Sequence, residues 1–441
     1  MNPDRTKSPE VSDFGPLNID RPQEITLAKG NTLFVLDKGD ADACMVSAVF
    51  PMGNTEAPSP KLMNLMNATW REGSKHHSPD EIADMLDYHG AWVKIDSSSH
   101  HTILSIYCLT SQLSNLLPLF AEIILHPTFD LEAVESMKGK IKNSIRIGKD
   151  KVKVVAKAAM LRQLLGQGHP LAKVETEDDV DGFNVEQLSK LHESVVSTMP
   201  TVFMAGRRDN DAVAHARQFA EMITPEHAGV NSTTLIPEQP DYSHMTVSEV
   251  MKDKDQTCVV MSFPSINRSH PDYNDLRITV MALGGYFGSR LMSNIREEKG
   301  YTYGINASLV GANELGYVTI ECECDNSYVD SVIAETKKEL SRLASEPMTD
   351  DELTTVKRII KSSLANMLDS PFDTMGYYIG KQTIGFPDDY FHAQQRAMEG
   401  ITPERIMEIA STYLNPEKMF LSTAGEYDPA LTIGTDSSVS A

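Results

Sequence analysis

Five cysteines, two adjacent histidine pairs, a glycine-rich run and an arginine–tyrosine pair are the residues of this 441-residue chain whose types and spacing suit chemistry. The cysteines are Cys44, Cys108, Cys258, Cys322 and Cys324. Their number is odd and no C-x-x-C pair occurs, which argues against a disulfide scaffold or a cysteine-based zinc module and for a reducing compartment. His76-His77 and His100-His101 are neighbours in sequence. Adjacent side chains point apart on a helix or strand, so neither pair chelates a metal by itself, and both read as loop or strand-end histidines. Gly284-Gly285-Tyr286-Phe287-Gly288 matches neither G-x-G-x-x-G nor a P-loop, so it carries no phosphate signal and reads as a tight helix entry with close backbone packing. Arg296 and Tyr303 lie seven positions apart. Periodicity alone puts Tyr303 on the buried strand face with Tyr301 and Ile305, and makes Arg296 a solvated helix-end cation.

The elements that must carry these residues repeat once along the chain. Pro127-Thr-Phe-Asp130-Leu-Glu132 and Pro347-Met-Thr-Asp350-Asp-Glu352 each open a helical stretch, at an offset of 220. Strands ending in Ala205-Gly206 and Ala424-Gly425 follow helices at 185–196 and 402–414, with the glycines offset by 219. Two matches at nearly one offset predict a duplicated domain of about 220 residues. Pro225, Gly229, Asn231, Pro237 and Pro240 mark an exposed linker. The expected divisions are a mobile segment 1–20, a domain 21–225, a linker 226–248, a second domain 249–430 and a polar tail 431–441. Residues 32–36, 44–50, 102–109 and 200–205 read as strands, and so do the alternating runs 301–309 and 318–324. Leu62, Leu65, Met66 and Thr69 make one face of a helix over 60–72 that stops at Gly73, with Asn64, Asn67 and Ala68 on its neighbouring face. Ser78-Pro79-Asp80-Glu81 is a capping box that starts the next helix. The fold class is therefore α+β: two homologous domains, each a mainly antiparallel sheet with helices packed on one face.

Charge narrows the partners. There are 40 Lys+Arg against 62 Asp+Glu, a net of −22, which repels nucleic acid and anionic lipid, so neither is expected as a partner. The same charge would attract basic peptides, although most of it belongs to a solvated outer surface. Residues 102–121 form a charge-free stretch of 20, but Ser105, Thr110, Gln112, Asn115 and Pro118 break it into a strand and a helix, so no membrane span is expected. The amino terminus has no basic segment followed by an apolar one, and the expected location is cytoplasmic.

The run from Leu283 to Tyr303, LGGYFGSRLMSNIREEKGYTY, resembles the C-terminal signature of the pitrilysin/insulinase-type metallopeptidases, which include the mitochondrial processing peptidases. That family is built from duplicated α+β domains of this size, so the resemblance covers nearly the whole chain. Active members carry an inverted zinc motif, H-x-x-E-H, on a first-domain helix. Two histidines on one helix face bind Zn²⁺, the glutamate is the general base, and a later glutamate is the third ligand.

Here the motif falls on Asn64, Asn67 and Ala68, and the later glutamate on Asn143 or Ser144. Neither histidine is present, an amide is a poor zinc ligand, and Asn67 cannot take a proton. The resemblance thus implies no metal on this chain. It also implies that Arg296 grips a substrate carbonyl and that the Tyr303 hydroxyl stabilises the oxyanion of a tetrahedral intermediate, roles that suit a fixed guanidinium clamp and a positioned phenol. Gly284, Gly285 and Gly288 would contact substrate, as in the glycine-rich loop of related non-catalytic subunits, although the loop is short here. The resulting expectation is a non-catalytic subunit paired as a heterodimer with a zinc-bearing paralogue, acting on peptides. A homodimeric peptide-binding or scaffold protein of the same fold is the alternative.

Overall fold

The structure, a computed structural model, describes residues 6–7, 15–207, 210–229, 240–311 and 315–427. Its first half holds a six-stranded sheet: β1 (Gln23–Thr26), β2 (Thr32–Asp37), β3 (Cys44–Phe50), β4 (Trp92–Ser97), β5 (Thr102–Cys108) and β6 (Thr201–Gly206). They lie in the order β1-β2-β6-β3-β5-β4. The second half holds β7 (Thr246–Val250), β8 (Gln256–Pro264), β9 (Thr302–Gly311), β10 (Gly316–Asp325) and β11 (Phe420–Gly425), in the order β7-β11-β8-β10-β9. Each sheet has one parallel pair, β2 with β6 and β7 with β11, and is otherwise antiparallel. The second order repeats the first without β1, as a duplicated α+β domain requires.

The central strands carry near-continuous apolar runs. β3 (CMVSAVF) is buried at all seven positions, and β8 at seven of its nine. A strand covered on one face alternates; a strand buried throughout needs both faces covered. Helices of the same half cover one face. The other face is covered by exchange. Five helices of the first half are α1 (Pro60–Thr69), α2 (Pro79–Tyr88), α3 (Leu113–Leu125), α4 (Leu131–Lys149) and α5 (Val152–Leu165). Of these, α5 leaves its own sheet and packs Val152, Ala156, Met160 and Leu164 against Cys258, Val260, Phe420 and Ala424 of the second sheet. Its counterpart at an offset of 219, the helix Pro371–Ile384, packs Met375 and Ile379 against Leu36, Met45, Val49, Phe203 and Ala205 of the first. Ser47, fully buried on β3, shares a 2.7 Å hydrogen bond with Ser105 across the strand pair, which keeps its hydroxyl satisfied.

Local signals set the ends. Ser59 caps α1 by accepting from the Leu62 N–H at 2.9 Å, with Pro60 as first helical residue. The helix ends at Thr69, earlier than the expected 72, because Trp70 turns fully into the core and donates Nε1 to the Ile123 carbonyl at 3.1 Å. The capping box of Ser78 and Glu81 forms as expected. Leu17, placed by sequence in a mobile segment, is instead tied down: its N–H donates to Gln395 Oε1 at 3.0 Å, and Gln395 Nε2 returns a bond to its carbonyl. Of the expected linker 226–248, residues 230–239 lie outside the described residues and 246–248 belong to β7; the tail 431–441 also lies outside them.

The repeated Ala-Gly closes β6 and β11 for a steric reason. Gly206 has φ +128° and Gly425 has φ +148°. A Cβ there would lie 2.2 Å from the Ala43 carbonyl oxygen and 2.3 Å from Thr257 Oγ1, respectively. Gly206→Ala and Gly425→Ala should each destabilise the chain by about 1–3 kcal/mol, read as a lower urea midpoint. Gly376→Ala, where a Cβ meets nothing within 4 Å inside a helix, is the control and should be neutral or stabilising. Unchanged midpoints for both strand-end variants would refute the steric account.

Candidate functional site

Tyr303 and Arg296 are brought together by two departures from regular structure. The helix Tyr273–Gly284 ends flush against β9: a Cβ on Gly284 would lie 2.7 Å from the Ala307 Cβ, and one on Gly285 2.7 Å from the Met281 Cα. These glycines therefore close a helix instead of opening one. Gly284 is buried, while Gly285 and Gly288 lie exposed in the loop that follows. The chain then winds as a π-helix over Met292–Glu298, anchored by the fully buried Ile295. Wide π-turns of this kind are rare and recur at functional sites. Arg296 sits in that turn, half-buried.

The second departure is a β-bulge. In the register of β9 with β10, Cys322 faces Ile305 but Cys324 faces Thr302, so β9 takes three steps where β10 takes two. Thr302 Oγ1 pins it by donating to the Glu323 carbonyl at 2.7 Å and accepting from the Gly304 N–H at 3.1 Å. The extra residue corrects the period-two reading. Tyr303 does not share the buried face with Ile305; it is 90% exposed. Tyr301 stacks on Tyr328 with ring centroids 4.8 Å apart, away from it in role.

The Arg296 guanidinium carbon stands 4.4 Å from the Phe287 ring centroid and 5.4 Å from that of Tyr303. Cation–π contact on two rings holds the guanidinium plane while leaving its N–H edge free. Neither that edge nor the Tyr303 hydroxyl has a hydrogen bond or ion pair with a described residue. Phe287, Tyr303, Gly284 and Gly285 line a hollow of about 620 Å³, shared with Lys153 of α5 and with Glu321 and Glu323 of β10; Gly288 lies outside its lining. Phe287 is a platform that the sequence did not single out. Its 61% exposure, beside a cation, is the signal, and it exists only in three dimensions.

The positions matched to the zinc motif lie elsewhere. Asn64, Asn67 and Ala68 occupy the outward face of α1 and line a separate hollow of about 550 Å³ with Asp96, Ser97 and Glu175. Asn67 Nδ2 donates to Ser97 Oγ at 2.7 Å, so its amide ties α1 to the edge strand β4. Two amides and a methyl group do not fit Zn²⁺, which takes thiolate, imidazole or carboxylate donors. No group of three or more His, Cys, Asp or Glu side chains among the described residues is arranged to hold a metal. Asn143 and Ser144 are exposed on α4 and face an adjoining hollow. The structure thus gathers Arg296 with Tyr303, and Asn64 with Asn67 and Ala68, but no hollow contains members of both sets. All five cysteines are buried, and none forms a disulfide among the described residues.

The histidine pairs serve the loops around α1. His100 Nδ1 meets Glu56 Oε1 at 2.6 Å. Burial pushes the Glu56 carboxyl up, but bonds from His100, the Gly53 N–H and Thr55 outweigh it and leave it below the usual range. Burial, helped by the neighbouring His100, pushes the His101 imidazole down to about 4. His77 Nδ1 lies 3.2 Å from Glu122.

Comparison with known proteins adds the family. The pattern described as Insulinase (Peptidase family M16) matches residues 44–171, and that described as Peptidase M16 inactive domain matches 183–360. An uncharacterised zinc protease of Bacillus subtilis, YmxG, is 23% identical over 303 residues, 68% of this chain and 72% of the relative. A protein of Helicobacter pylori named as a non-peptidase homologue is 23% identical over 310 residues, 68% of this chain and 70% of its own length. In fold, a peptidase M16 inactive domain from Pseudomonas fluorescens superposes with a TM-score of 0.83 at 21% identity, covering 93% of this chain and 98% of that one.

Two outcomes follow. The purified chain should carry far less than one zinc per molecule by inductively coupled plasma mass spectrometry; stoichiometric zinc would contradict the donor inventory. Acid should loosen the loops around α1. The folded His101 pKa lies below its unfolded value of about 6.5, so its contribution is whole above that value and is lost as pH falls toward 4. Glu56, also lowered, acts in the same direction as pH falls below the ordinary glutamate range. His101→Gln should flatten the fall in melting temperature between pH 6.5 and 4, measured by calorimetry; an unchanged slope would count against the assignment.

Proposed function

The chain belongs to the M16, insulinase-type, peptidase family, and from that premise we propose that it is the non-catalytic subunit of a heteromeric zinc peptidase. A paralogous partner carries the metal and the general base. This chain contributes Arg296 to hold a peptide carbonyl and Tyr303 to stabilise the oxyanion that forms when that carbonyl is attacked. The exposed backbone at Gly285 and Gly288 lies on the substrate side of the same loop, whereas Gly284 is a packing residue. Buried cysteines without disulfides among the described residues suit a reducing, cytoplasmic setting. Among the described residues no helix is long and apolar enough to cross a membrane.

One observation supports the reading most strongly. Tyr303 projects 90% exposed from a bulge, with a guanidinium held over its ring and no polar partner for either group among the described residues. An exposed tyrosine adds little to a core. A phenol and a guanidinium kept open beside a hollow fit work on a substrate's oxygen. The absence of metal-binding side chains at Asn64, Asn67 and Ala68 supports assigning the water-activating chemistry to another chain.

The second reading is a homodimeric peptide-binding or scaffold protein. It is favoured by the Helicobacter relative's description as a non-peptidase homologue. A pull-down of the tagged chain from its host separates the two. Recovery of a near-equimolar homologue bearing H-x-x-E-H supports the split peptidase, and recovery of the chain alone supports the binder. In the reconstituted pair, Tyr303→Phe should lower kcat more than tenfold, as loss of one oxyanion donor does. Wild-type turnover in that variant would withdraw the role.

A further inference from the structure

An acidic protein would be expected to line its hollows with acid, but the hollow of about 730 Å³ beside α1 is lined with lysine. Lys61, Lys140, Lys149 and Lys151 all border it, and none has a side-chain hydrogen bond or ion pair with a described residue. The two carboxylates in its wall are already engaged. Glu175, with a side chain 2% exposed, accepts from the Ser59 hydroxyl and from the Lys61 N–H at 2.9 Å at the start of α1. Glu249 pairs with Arg162 at 2.9 Å.

Helix geometry reinforces the charge. Lys61 stands in the first turn of α1, and Lys151 is the N-cap of α5, where no side chain satisfies the exposed N–H groups. Both are the wrong end of a helix for a cation, since the dipole is already positive there. The α1 N-terminus is already occupied by Ser59 and the Glu175 carboxylate, so it is the uncapped N-terminus of α5 that adds its potential to the four lysines. Apolar surface lies beside them: Ile147, Val154 and Val174 border the hollow and are 47%, 48% and 55% exposed.

We propose that this hollow binds an acidic, aliphatic peptide segment, its carboxylates on the lysines and its side chains on Ile147, Val154 and Val174. The site adjoins the hollow of Asn64, Asn67 and Ala68, with which it shares Lys61, Lys173 and Glu175. The two together make an open path suited to an extended chain, not a closed pouch for a small anion. The assignment rests on the peptide-handling reading above and names its substrate class. It also reverses the preference for basic peptides that the net charge suggests.

The test is fluorescence anisotropy with the full chain and three labelled dodecapeptides of alternating valine with glutamate, glutamine or lysine. The glutamate peptide should bind at least tenfold tighter than the glutamine one, and the advantage should shrink as salt rises. Replacing Lys140, Lys149 and Lys151 together with glutamine should remove most of that advantage and leave the glutamine peptide unaffected. The same three positions changed to alanine guard against an effect of one substituent. Equal binding of the glutamate and glutamine peptides, or an undiminished advantage in both variants, overturns the charge assignment alone. Absence of binding by all three peptides overturns the peptide-handling reading as well.

Discussion

Everything in this molecule depends on each sheet having two apolar faces and only one set of its own helices to cover them. β3 and β8 are too uniformly apolar to stand with a face in water. The second cover comes from the other half, by exchange of α5 and the helix Pro371–Ile384. Each well-buried aliphatic or methionine side chain in such a contact contributes roughly 1.5–3 kcal/mol, so four or five of them make the exchange a structural necessity. The halves cannot separate without exposing both outer faces, and the fold therefore behaves as one body with two related cores.

That exchange also positions the functional surfaces. α5 reaches the second sheet with Lys153 and Lys157, both near Glu321 of β10, at 3.7 and 2.8 Å. Its first turn therefore lies between two hollows, with Lys153 bordering the one near Tyr303 and Lys151 the one near Asn143. Beyond it, the π-turn and the bulge act as a pair. The wide turn sets the height of Arg296, and the extra residue of β9 rotates Tyr303 to meet it. Neither would achieve the contact alone, because a regular strand would bury the phenol beside Ile305.

Much of this was legible in the sequence. The duplication, seven of the strands, the cap at Ser78 and the outward face of Asn64, Asn67 and Ala68 all follow from local pattern, because local pattern is what fixes them. Tyr303 was misplaced for a specific reason: alternation assumes an unbroken register, and a one-residue bulge inverts every side chain beyond it. The helix exchange was hidden because α5 is apolar on several sides, and a helix of that kind does not say which sheet it will cover. The lysine hollow had a visible signal. Residues 138–157 hold eight Lys or Arg against the single Asp150, in a chain of net −22. Summing charge over the whole chain averages that run away, and only its folding against Lys61 turns it into a site.

The loss of metal ligands and the presence of lysines on the same side of α1 have a common electrostatic sense. A divalent cation does two things to a bound peptide: it attracts oxygen, and it makes a water nucleophilic by lowering its pKa. A cluster of ammonium groups attracts oxygen as well, and carboxylate oxygen more than carbonyl. It does not activate water, because no lone pair of the water is held in a metal's coordination shell. Asn67, whose amide binds Ser97 instead of taking a proton, removes the base in the same region. On the proposed reading, this face would hold an anionic chain with lysines and would leave the water-activating groups to another chain. Cleavage would then use a metal held by a partner, and Tyr303, with Arg296 against its ring, lines a hollow that shares no lining residue with the α1 site.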